Sequence, residues 1–441
     1  MTKTVKLAEG VNLHLLPSKK YKTVHFMVRF RELASRETLA ERAILANLLT
    51  MANAKYPHPK DFQAALAMNF GMRLGAGTTS KGLQHNLTFG MNVVEPAFVG
   101  EDTLAKAVEL LRAVIFEPLA ENGSFNAQIF DLIKTNGLHD LASLKDDNAY
   151  MAAVKLDQLF YTDINMATPS HGTVELMEHV DAAGLYAYYL TMLATNSVDI
   201  YVLGNVDDAA MTRAFKDWNF SDRMPINDIF YSQAVKEETE LIKSKEAYQS
   251  QLAMAWLMPI QYGDSDYLAL QVFNGLFGGQ PNSKLFSIVR ERESLAYGIN
   301  SRFDSFTGMM SVMAGVDDEN LLLARDLVIA LLEELKNGDF SEEDLSQTKA
   351  LLRNGYLAGK DSPSSQLEMA FVAGLLPERE LSDEEWLANL EAVKSEDVQR
   401  VAQKLKIQVT YMLKSISLTE ELEKDESVES DLSTQGIGGA E

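Results

Sequence analysis

The stretch GLFGGQPNSKLFSIVRERESLAYGINS, residues 275–301, carries the most informative pattern in the 441-residue chain. A glycine-rich connection leads into a predicted helix, NSKLFSIVRERE, and a predicted strand, LAYGINSRFDSF, follows it. Arg290 ends the helix and Tyr297 begins the strand, so the turn between them allows both side chains to point to one side. The glycine spacing fits neither GxGxxG nor GxxxxGK[ST], and Asn282 or Ser283 is the expected helix N-cap.

The order of elements around this stretch repeats in the first half of the chain. FMVRF corresponds to AMAWL, FGMNVVEP to VMAGVDDE and IYVLG to TYMLK, at offsets of about 210–227 residues. Each half combines strand-like alternation with long stretches of helical periodicity. The pattern predicts an α+β fold of two homologous domains, each a mostly antiparallel sheet with helices packed on one face.

Charge and composition set the expected boundaries. A charged bridge, QAVKEETELIKSKEAY, separates the two halves, and after Ile416 the chain becomes acidic and loses apolar periodicity. We predict a first domain over residues 1–220, a charged linker over 221–247, a second domain over 248–416 and a disordered acidic tail over 417–441.

Composition also narrows the class of protein. A net charge of −23 disfavours nucleic acid and anionic membrane surfaces as partners. The chain has no cysteine, which excludes disulfides, thiolate metal sites and a cysteine nucleophile. No apolar run approaches the roughly 20 residues that span a bilayer, and the N-terminus lacks the apolar segment of a signal peptide. A cytoplasmic location is therefore expected.

The two α+β repeats and the 275–301 stretch together resemble the pitrilysin/insulinase-type zinc metallopeptidase family, which includes the mitochondrial processing peptidase. SHGTVELMEHVDAAGLYAYYLTMLATNSVDIYVLGNVD is similar to the end of that family's first domain. The resemblance covers roughly residues 1–415 and implies that the two domains form half of a clamshell chamber. SLAYGINSRFDS and SKLFSIVRE are similar to bacterial partner proteins associated with modification of elongation factor P.

Active members of that family bind Zn²⁺ through an HxxEH motif on the first long helix. The resemblance places Ala43, Ala46 and Asn47 of AILAN at this motif, and alanine has no atom that could bind a metal. No glutamate lies between Glu121 and Glu175, where the third ligand is expected. Two histidines of an HxxEH motif lie four residues apart, on one face of a helix, and no two histidines of this chain have that spacing. The histidines are His14, His25, His58, His85, His139, His171 and His179. We predict that this chain binds no cofactor and that zinc belongs to a partner subunit.

In the resembled family, the arginine and tyrosine that match Arg290 and Tyr297 donate hydrogen bonds to the substrate carbonyl and its developing oxyanion. The resemblance implies the same catalytic role here, in trans, and weak substrate contacts for Gly278, Gly279 and Ser283. It predicts a non-catalytic, substrate-binding subunit of a heteromeric zinc metallopeptidase. Such a bacterial heterodimer would process peptides or unfolded polypeptides only with a homologous HxxEH subunit.

Other interpretations remain open. From the residues alone, Arg290 could pair with a nearby glutamate and Tyr297 could be an ordinary strand aromatic, because charged side chains usually lie on solvated faces. The alternative function is a metal-free scaffold, like core proteins of respiratory complexes, or a peptide-binding protein with no role in catalysis. The presence of both Arg290 and Tyr297 favours the peptidase partner, since a scaffold has no use for them.

Overall fold

The computed structural model describes residues 2–416, so the predicted acidic tail lies outside the described residues. The chain divides into two compact units. The first unit contains the residues up to Ser143, Asp163–Tyr231 and Gly355–Glu380. The second contains Leu144–Thr162, Ser232–Asn354 and the described residues from Leu381 onward.

The strands form two main sheets and one small hairpin within residues 2–416. Their bounds are β1 (Lys3–Ala8), β2 (Val11–Pro17), β3 (Thr23–Leu33), β4 (Arg73–Lys81), β5 (Gln84–Val94), β6 (Ala120–Glu121), β7 (Ser124–Phe125), β8 (Ser197–Gly204), β9 (Thr239–Glu246), β10 (Ser250–Leu257), β11 (Ala296–Asp304), β12 (Met309–Val316) and β13 (Lys406–Ile416).

Most helices begin where the sequence offers a capping side chain. The Asp102 carboxylate accepts from the Ala105 N–H, and Ser382 with Glu385 forms a capping box. The helices are α1 (Arg36–Met51), α2 (Pro59–Met68), α3 (Thr103–Phe116), α4 (Ala127–Ser143), α5 (Asn148–Phe160), α6 (Ile164–Ala167), α7 (Val174–His179), α8 (Ala182–Thr195), α9 (Asp208–Lys216), α10 (Tyr267–Asn274), α11 (Leu321–Asn337), α12 (Glu342–Gly359), α13 (Pro363–Leu375), α14 (Asp383–Ala392) and α15 (Ser395–Lys404).

The first unit is built on a six-stranded sheet with strand order β1-β2-β8-β3-β5-β4. Only the β2–β8 pair in this sheet is parallel. Phe26, Val28 and Phe30 of β3 lie on one face of the sheet, where α1 and α3 complete an apolar core. We call this the first face. The second face of the sheet carries buried Arg29 and Arg31 and is partly covered by α13.

The second unit repeats this plan with a five-stranded sheet in the order β11-β12-β10-β13-β9, where only β13–β9 is parallel. Helices α10, α11 and α15 enclose one apolar core. Helix α5 packs on the opposite face through Ala152, Leu156 and Phe160, against Ala253 and Ala255 of β10. The predicted α+β class with mostly antiparallel sheets is confirmed. Helices pack on one face of each sheet as predicted, and in addition α5 and α13 each pack on the opposite face of a sheet.

The compact units differ from the contiguous domains that the sequence suggested. Helix α5 comes from the first half of the chain but packs in the second unit, and α13 comes from the second half but packs in the first. Periodicity reveals the apolar face of a helix but not the sheet that the face meets, so this exchange left no sign in the sequence. The predicted domain boundaries stay a prediction.

The predicted charged linker contains an ordered strand. Within it, Thr239–Glu246 forms β9 and pairs with β13 along its whole length. The Lys236 N–H donates to Gln408 Oε1 at 2.8 Å, and its ammonium group donates to the Phe160 carbonyl at the end of α5. The charged sequence concealed this strand because β9 is half exposed and lacks apolar alternation.

A carboxyl group on α5 makes the stability of the second unit depend on pH. Burial, and then the Asp304 carboxylate, raise the pKa of Asp157 to about 7. Since this pKa exceeds that of Asp157 in the unfolded chain, the contribution of this group to stability is fully present at about pH 4 or below and is lost as the pH rises through about 7. We expect Asp157→Asn to raise the unfolding temperature at pH 8 by about 2–4 °C, the shift that ~1 kcal/mol produces in a domain of this size.

The same substitution should have little effect at pH 4, where Asp157 is already protonated. Calorimetric unfolding at both pH values measures the difference, and Asp146→Asn is the matched control because Asp146 is exposed in the same segment. An Asp157→Asn shift of equal size at pH 4 and pH 8 would contradict the assignment.

Candidate functional site

The sequence-predicted site lies in a part of the second unit with unusual helical geometry. Helix α10 continues into a π-helical turn, π1 (Gly275–Gly279), and a second π-helix, π2 (Leu285–Arg292), follows after a short connection. π-Helices are rare and are frequently found at functional sites, because they displace side chains from the α-helical pattern. Buried Leu285 and Val289 anchor π2 to the core.

Arg290 lies in the last turn of π2 and is exposed, with 42% of its side-chain surface accessible. Its guanidinium carbon lies 4.6 Å from the centre of the Phe286 ring, a cation–π contact one turn earlier. The nearest carboxylate is that of Glu291, 3.7 Å from Nε, which is beyond hydrogen-bond distance. The Arg290 guanidinium therefore keeps its donors available to a group outside this unit's core.

Two backbone irregularities separate Arg290 from Tyr297. Ser294 adopts a left-handed conformation with φ of 53°, which is costly for a residue with a Cβ. In the β11–β12 pairing, Ala296 lies opposite Val316 and Gly298 lies opposite Gly315, so Tyr297 is the extra residue of a β-bulge. Bulges redirect side chains and are common beside active sites.

The bulge leaves Tyr297 65% exposed at the start of β11. Its hydroxyl donates to Asp317 Oδ1 at 3.0 Å, and this hydrogen bond, with the aspartate charge, raises the pKa of Tyr297. The phenol is therefore a neutral donor at physiological pH. Arg290 and Tyr297 thus supply one cationic and one neutral donor, both exposed, from a segment anchored in the core.

The three residues predicted to contact substrate differ in accessibility. Gly278 is buried, and a Cβ there would lie 2.6 Å from Leu285 Cδ1, so packing requires glycine. Ser283 is buried, and its Oγ accepts from the Phe286 N–H at 3.4 Å near the start of π2. Gly279 is exposed. Substrate contact by these residues stays a prediction, and of the three only Gly279 has an accessible surface.

The residues at the predicted degenerate zinc motif lie on α1 and do not fit a metal. Ala46 is buried, and the Asn47 amide donates to the Ala43 carbonyl one turn earlier at 3.1 Å. Among the described residues, no group of three or more His, Cys, Asp or Glu side chains could hold a metal ion. At Ala43, Ala46 and Asn47, the described part of α1 therefore offers no carboxylate, imidazole or thiolate ligand of the kinds that bind zinc.

Comparisons with known proteins identify the family of this chain. A family model described as "Peptidase M16 inactive domain" matches residues 179–352. The Bacillus subtilis (strain 168) protein named "Probable inactive metalloprotease YmfF" is 30% identical over 92% of this chain and 96% of its own length. The chain belongs to the M16 peptidase family.

Solved structures share the fold of this chain. A conserved protein from Enterococcus faecalis V583 is 37% identical, with a TM-score of 0.91, over 94% of this chain and 99% of that one. The structure of a peptidase M16 inactive domain from Pseudomonas fluorescens has a TM-score of 0.77 at 19% identity, over 94% of this chain and 98% of that one, and this likeness shows the fold alone. The predicted family is confirmed, and this M16 member is an inactive peptidase homologue. Its similarity to elongation factor P partner proteins stays a prediction.

Sequence reasoning missed the groups that hold the site residues. Asp317 fixes the Tyr297 hydroxyl, and Phe286 supports the Arg290 guanidinium. The i, i+4 spacing of Phe286 and Arg290 could have indicated the second contact. The contact between Asp317 and Tyr297 depends on the register of pairing between β11 and β12, which the sequence does not reveal. Within residues 2–416, no helix is both long and apolar enough to cross a membrane.

We expect the purified chain to hold only substoichiometric zinc, because Ala43, Ala46 and Asn47 cannot replace the ligands and base of HxxEH. Elemental analysis after desalting measures this. The variant Ala43→His/Ala46→Glu/Asn47→His serves as positive control and should retain some zinc through its two new histidines. One zinc per wild-type chain, released only by a chelator, would show that ligands from distant positions converge.

Proposed function

We propose that this M16 homologue is the substrate-binding, non-catalytic subunit of a heteromeric zinc metallopeptidase. A homologous HxxEH subunit provides the zinc and the general base, and this chain contributes Arg290 and Tyr297 to the substrate carbonyl. The observation that carries the proposal is the convergence of π2, left-handed Ser294 and the Tyr297 bulge on one exposed segment. Such irregularities cost free energy and persist where function needs the displaced side chains.

The chemistry of the two donors suits acyl transfer. Arg290 keeps its charge at all working pH values, and its planar group can donate two parallel hydrogen bonds. The Tyr297 hydroxyl can leave Asp317 by rotation about its C–O bond and donate to an oxyanion instead. Donors of this kind stabilise the negative charge that develops on a peptide carbonyl during attack.

The remaining features of the proposal rest on the family resemblance. The substrate is a peptide or unfolded polypeptide, the complex is a heterodimer in the cytoplasm, and zinc resides in the partner. The exposed Gly279 contacts the peptide backbone. The elongation factor P modification partners are the relatives whose role this chain would share.

The alternative is a metal-free scaffold or peptide-binding protein. One observation favours it, because both candidate donors already have contacts inside the chain. The Tyr297 hydroxyl is bonded to Asp317, and Arg290 lies over Phe286. In that case the irregular backbone at 285–297 would shape a binding surface without acting on a reacting carbonyl.

Reconstitution tests the proposal. The chain is mixed with the HxxEH homologue encoded in the same genome, complex formation is followed by size-exclusion chromatography, and cleavage of a fluorogenic peptide library is measured. We expect each subunit alone to be inactive and the mixture to cleave. A stable complex without cleavage would favour the scaffold, and cleavage by the HxxEH subunit alone at the full rate would refute the proposed division of roles.

A further inference from the structure

A cavity of about 460 Å³ opens on the second face of the first unit's sheet, beside the start of α13. This volume falls within the range of sites for small organic molecules. Buried Met27 of β3 and Leu367 of α13 provide apolar walls. All the lining residues belong to the first unit, whereas Arg290 and Tyr297 belong to the second.

Part of the sheet surface at the cavity lacks side chains. Gly90 of β5 lines the cavity, and the strand register places it between Met27 on one side and Gly75 of β4 on the other. Gly77 lies opposite Thr88, also a lining residue, so it extends the same floor. We call the surface formed by Gly75, Gly77 and Gly90 the glycine trough.

Neither backbone conformation nor packing explains these glycines. None of the three has a positive φ, and a Cβ built on any of them meets no atom within 4 Å. Glycine weakens a strand, and in strand interiors it often marks a place where a ligand approaches the backbone closely. The trough is therefore open space that ordinary strand residues would fill.

One end of the trough presents an amide donor. His25 Nδ1 lies 2.7 Å from Asn92 Oδ1, and the Thr23 hydroxyl lies 2.9 Å from His25 Nε2. Because Asn92 Oδ1 can only accept, His25 Nδ1 carries the proton, and burial lowers the pKa of this neutral ring. The Asn92 amide group then has two N–H donors with no partner among the described residues.

The other end also presents a donor. Arg29 Nε donates to Thr88 Oγ1 at 3.1 Å, which leaves the Thr88 hydroxyl hydrogen to donate. The Arg29 guanidinium is itself occupied, because it lies over the Phe371 ring and pairs with Glu368 at 3.0 Å. Lys81 also pairs with Glu368, at 2.9 Å, so this carboxylate is compensated twice.

The rim adds unmatched positive charge. Arg73 lies opposite Asn92 in the register, is exposed, and has no ion pair within residues 2–416. This group contains three positively charged side chains, those of Arg29, Lys81 and Arg73, and one negatively charged side chain, that of Glu368. This is unusual in a chain whose net charge is −23.

We propose that the glycine trough binds a small planar organic anion. The ring of an aromatic carboxylate would lie flat on Gly75, Gly77 and Gly90, against Met27 and Leu367. Its carboxylate would accept from the Asn92 amide and pair with Arg73. The open floor, the apolar walls and the hydrogen-bond donors at the edges each match one part of such a molecule, and none depends on the proposed peptidase role.

The test uses 2-naphthoate as the probe and its uncharged analogue 2-naphthamide as the matched comparison, with the full-length chain in isothermal titration. We expect saturable binding of 2-naphthoate at one site per chain and binding of 2-naphthamide that is weaker by about tenfold. High salt should weaken binding of the anion more than binding of the amide, because exposed charge pairs are screened.

The variant Gly75→Val/Gly77→Val places side chains in the trough and favours the strand, since valine has high β-propensity and a Cβ at either position meets no atom within 4 Å. It should weaken 2-naphthoate binding by about tenfold or more. The matched control is Gly298→Val, a strand glycine of the second unit that also has open space above it. It should bind 2-naphthoate as the wild type does. Circular dichroism verifies that both variants are folded.

A second, exposed substitution keeps the proposal testable if the valine variant does not fold. Arg73→Gln should weaken 2-naphthoate binding by a few-fold, the effect of one exposed charge, and leave 2-naphthamide binding unchanged. The proposal is overturned if the wild type shows no saturable binding of 2-naphthoate. It is overturned equally if the amide binds as tightly as the anion, or if folded Gly75→Val/Gly77→Val binds like the wild type.

Discussion

Replacing Arg290 by alanine is expected to abolish most of the peptidase turnover of the reconstituted complex without preventing its assembly. If Arg290 donates to the oxyanion, its loss removes stabilisation that is present mainly in the transition state. Removal of one such donor costs on the order of a hundredfold or more in kcat. Tyr297→Phe removes the second donor while keeping the ring, so its effect should be in the same direction. KM should change less than kcat in both variants.

Arg292→Ala is the matched control for Arg290→Ala. Arg292 lies two residues away in the same π-helix, is exposed, and donates to the neighbouring Glu293 at 2.8 Å. Its loss should leave both kcat and assembly within twofold of the wild type, as expected for an exposed ion pair. If Arg290→Ala and Tyr297→Phe complexes turn over as fast as the wild type, the two residues are structural and the scaffold interpretation becomes the better one.

Asp317 offers a further distinction between the two roles. In the free chain it accepts the Tyr297 hydroxyl, and it therefore competes with any substrate oxygen for the same proton. A catalytic tyrosine must exchange partners on substrate binding, whereas a structural tyrosine keeps this one. The bulge makes such an exchange accessible because the Tyr297 ring is largely outside the packed sheet.

The sequence predicted those parts of the architecture that depend on the local pattern of apolar and polar residues. Duplicated strands such as FMVRF and AMAWL became the central strands β3 and β10, because apolar alternation reports burial directly. The sequence did not predict that α5 packs in the second unit and α13 in the first. The apolar face of a helix can be recognised from the sequence, but the sheet against which it packs cannot. Strand β9 was missed for the opposite reason, because its half-exposed position permits charged residues.

The candidate site was predicted only through the family resemblance. Composition and spacing alone left Arg290 and Tyr297 as ordinary surface residues, and no propensity rule marks a π-helix or a bulge in advance. These features arise when Leu285, Val289 and Leu295 are all held in the core and the backbone between them must accommodate the spacing. The glycine trough could not be predicted either, because it depends on the register between β3, β5 and β4.

A buried arginine on α1, Arg42, also escaped the sequence analysis. Its side chain is completely buried in the first unit. It pairs with Glu32 at 3.0 Å and donates to Asn196 Oδ1 and to the Phe30 carbonyl, both at 2.7 Å. Burial would raise the pKa of Glu32, but the Arg42 charge and neighbouring hydrogen bonds lower it overall. The signal in the sequence was an arginine three residues after Leu39 on the apolar face of α1.

Arg42→Met should therefore destabilise the chain by about 3–5 kcal/mol, because it leaves Glu32 and several oxygens buried without their donor. The unfolding temperature of the first unit should fall by about 10 °C in calorimetry at pH 7. Arg36→Met, at an exposed ion pair on the same helix, should cost less than about 1 kcal/mol. In wild type, the depressed Glu32 pKa contributes stability that is present above about pH 4.5 and lost on acidification. The penalty of Arg42→Met should shrink on acidification, because in the variant burial acts on Glu32 without the Arg42 charge, so this carboxylate takes up its proton at a higher pH than in the wild type. A penalty independent of pH would exclude the buried ion pair as its cause.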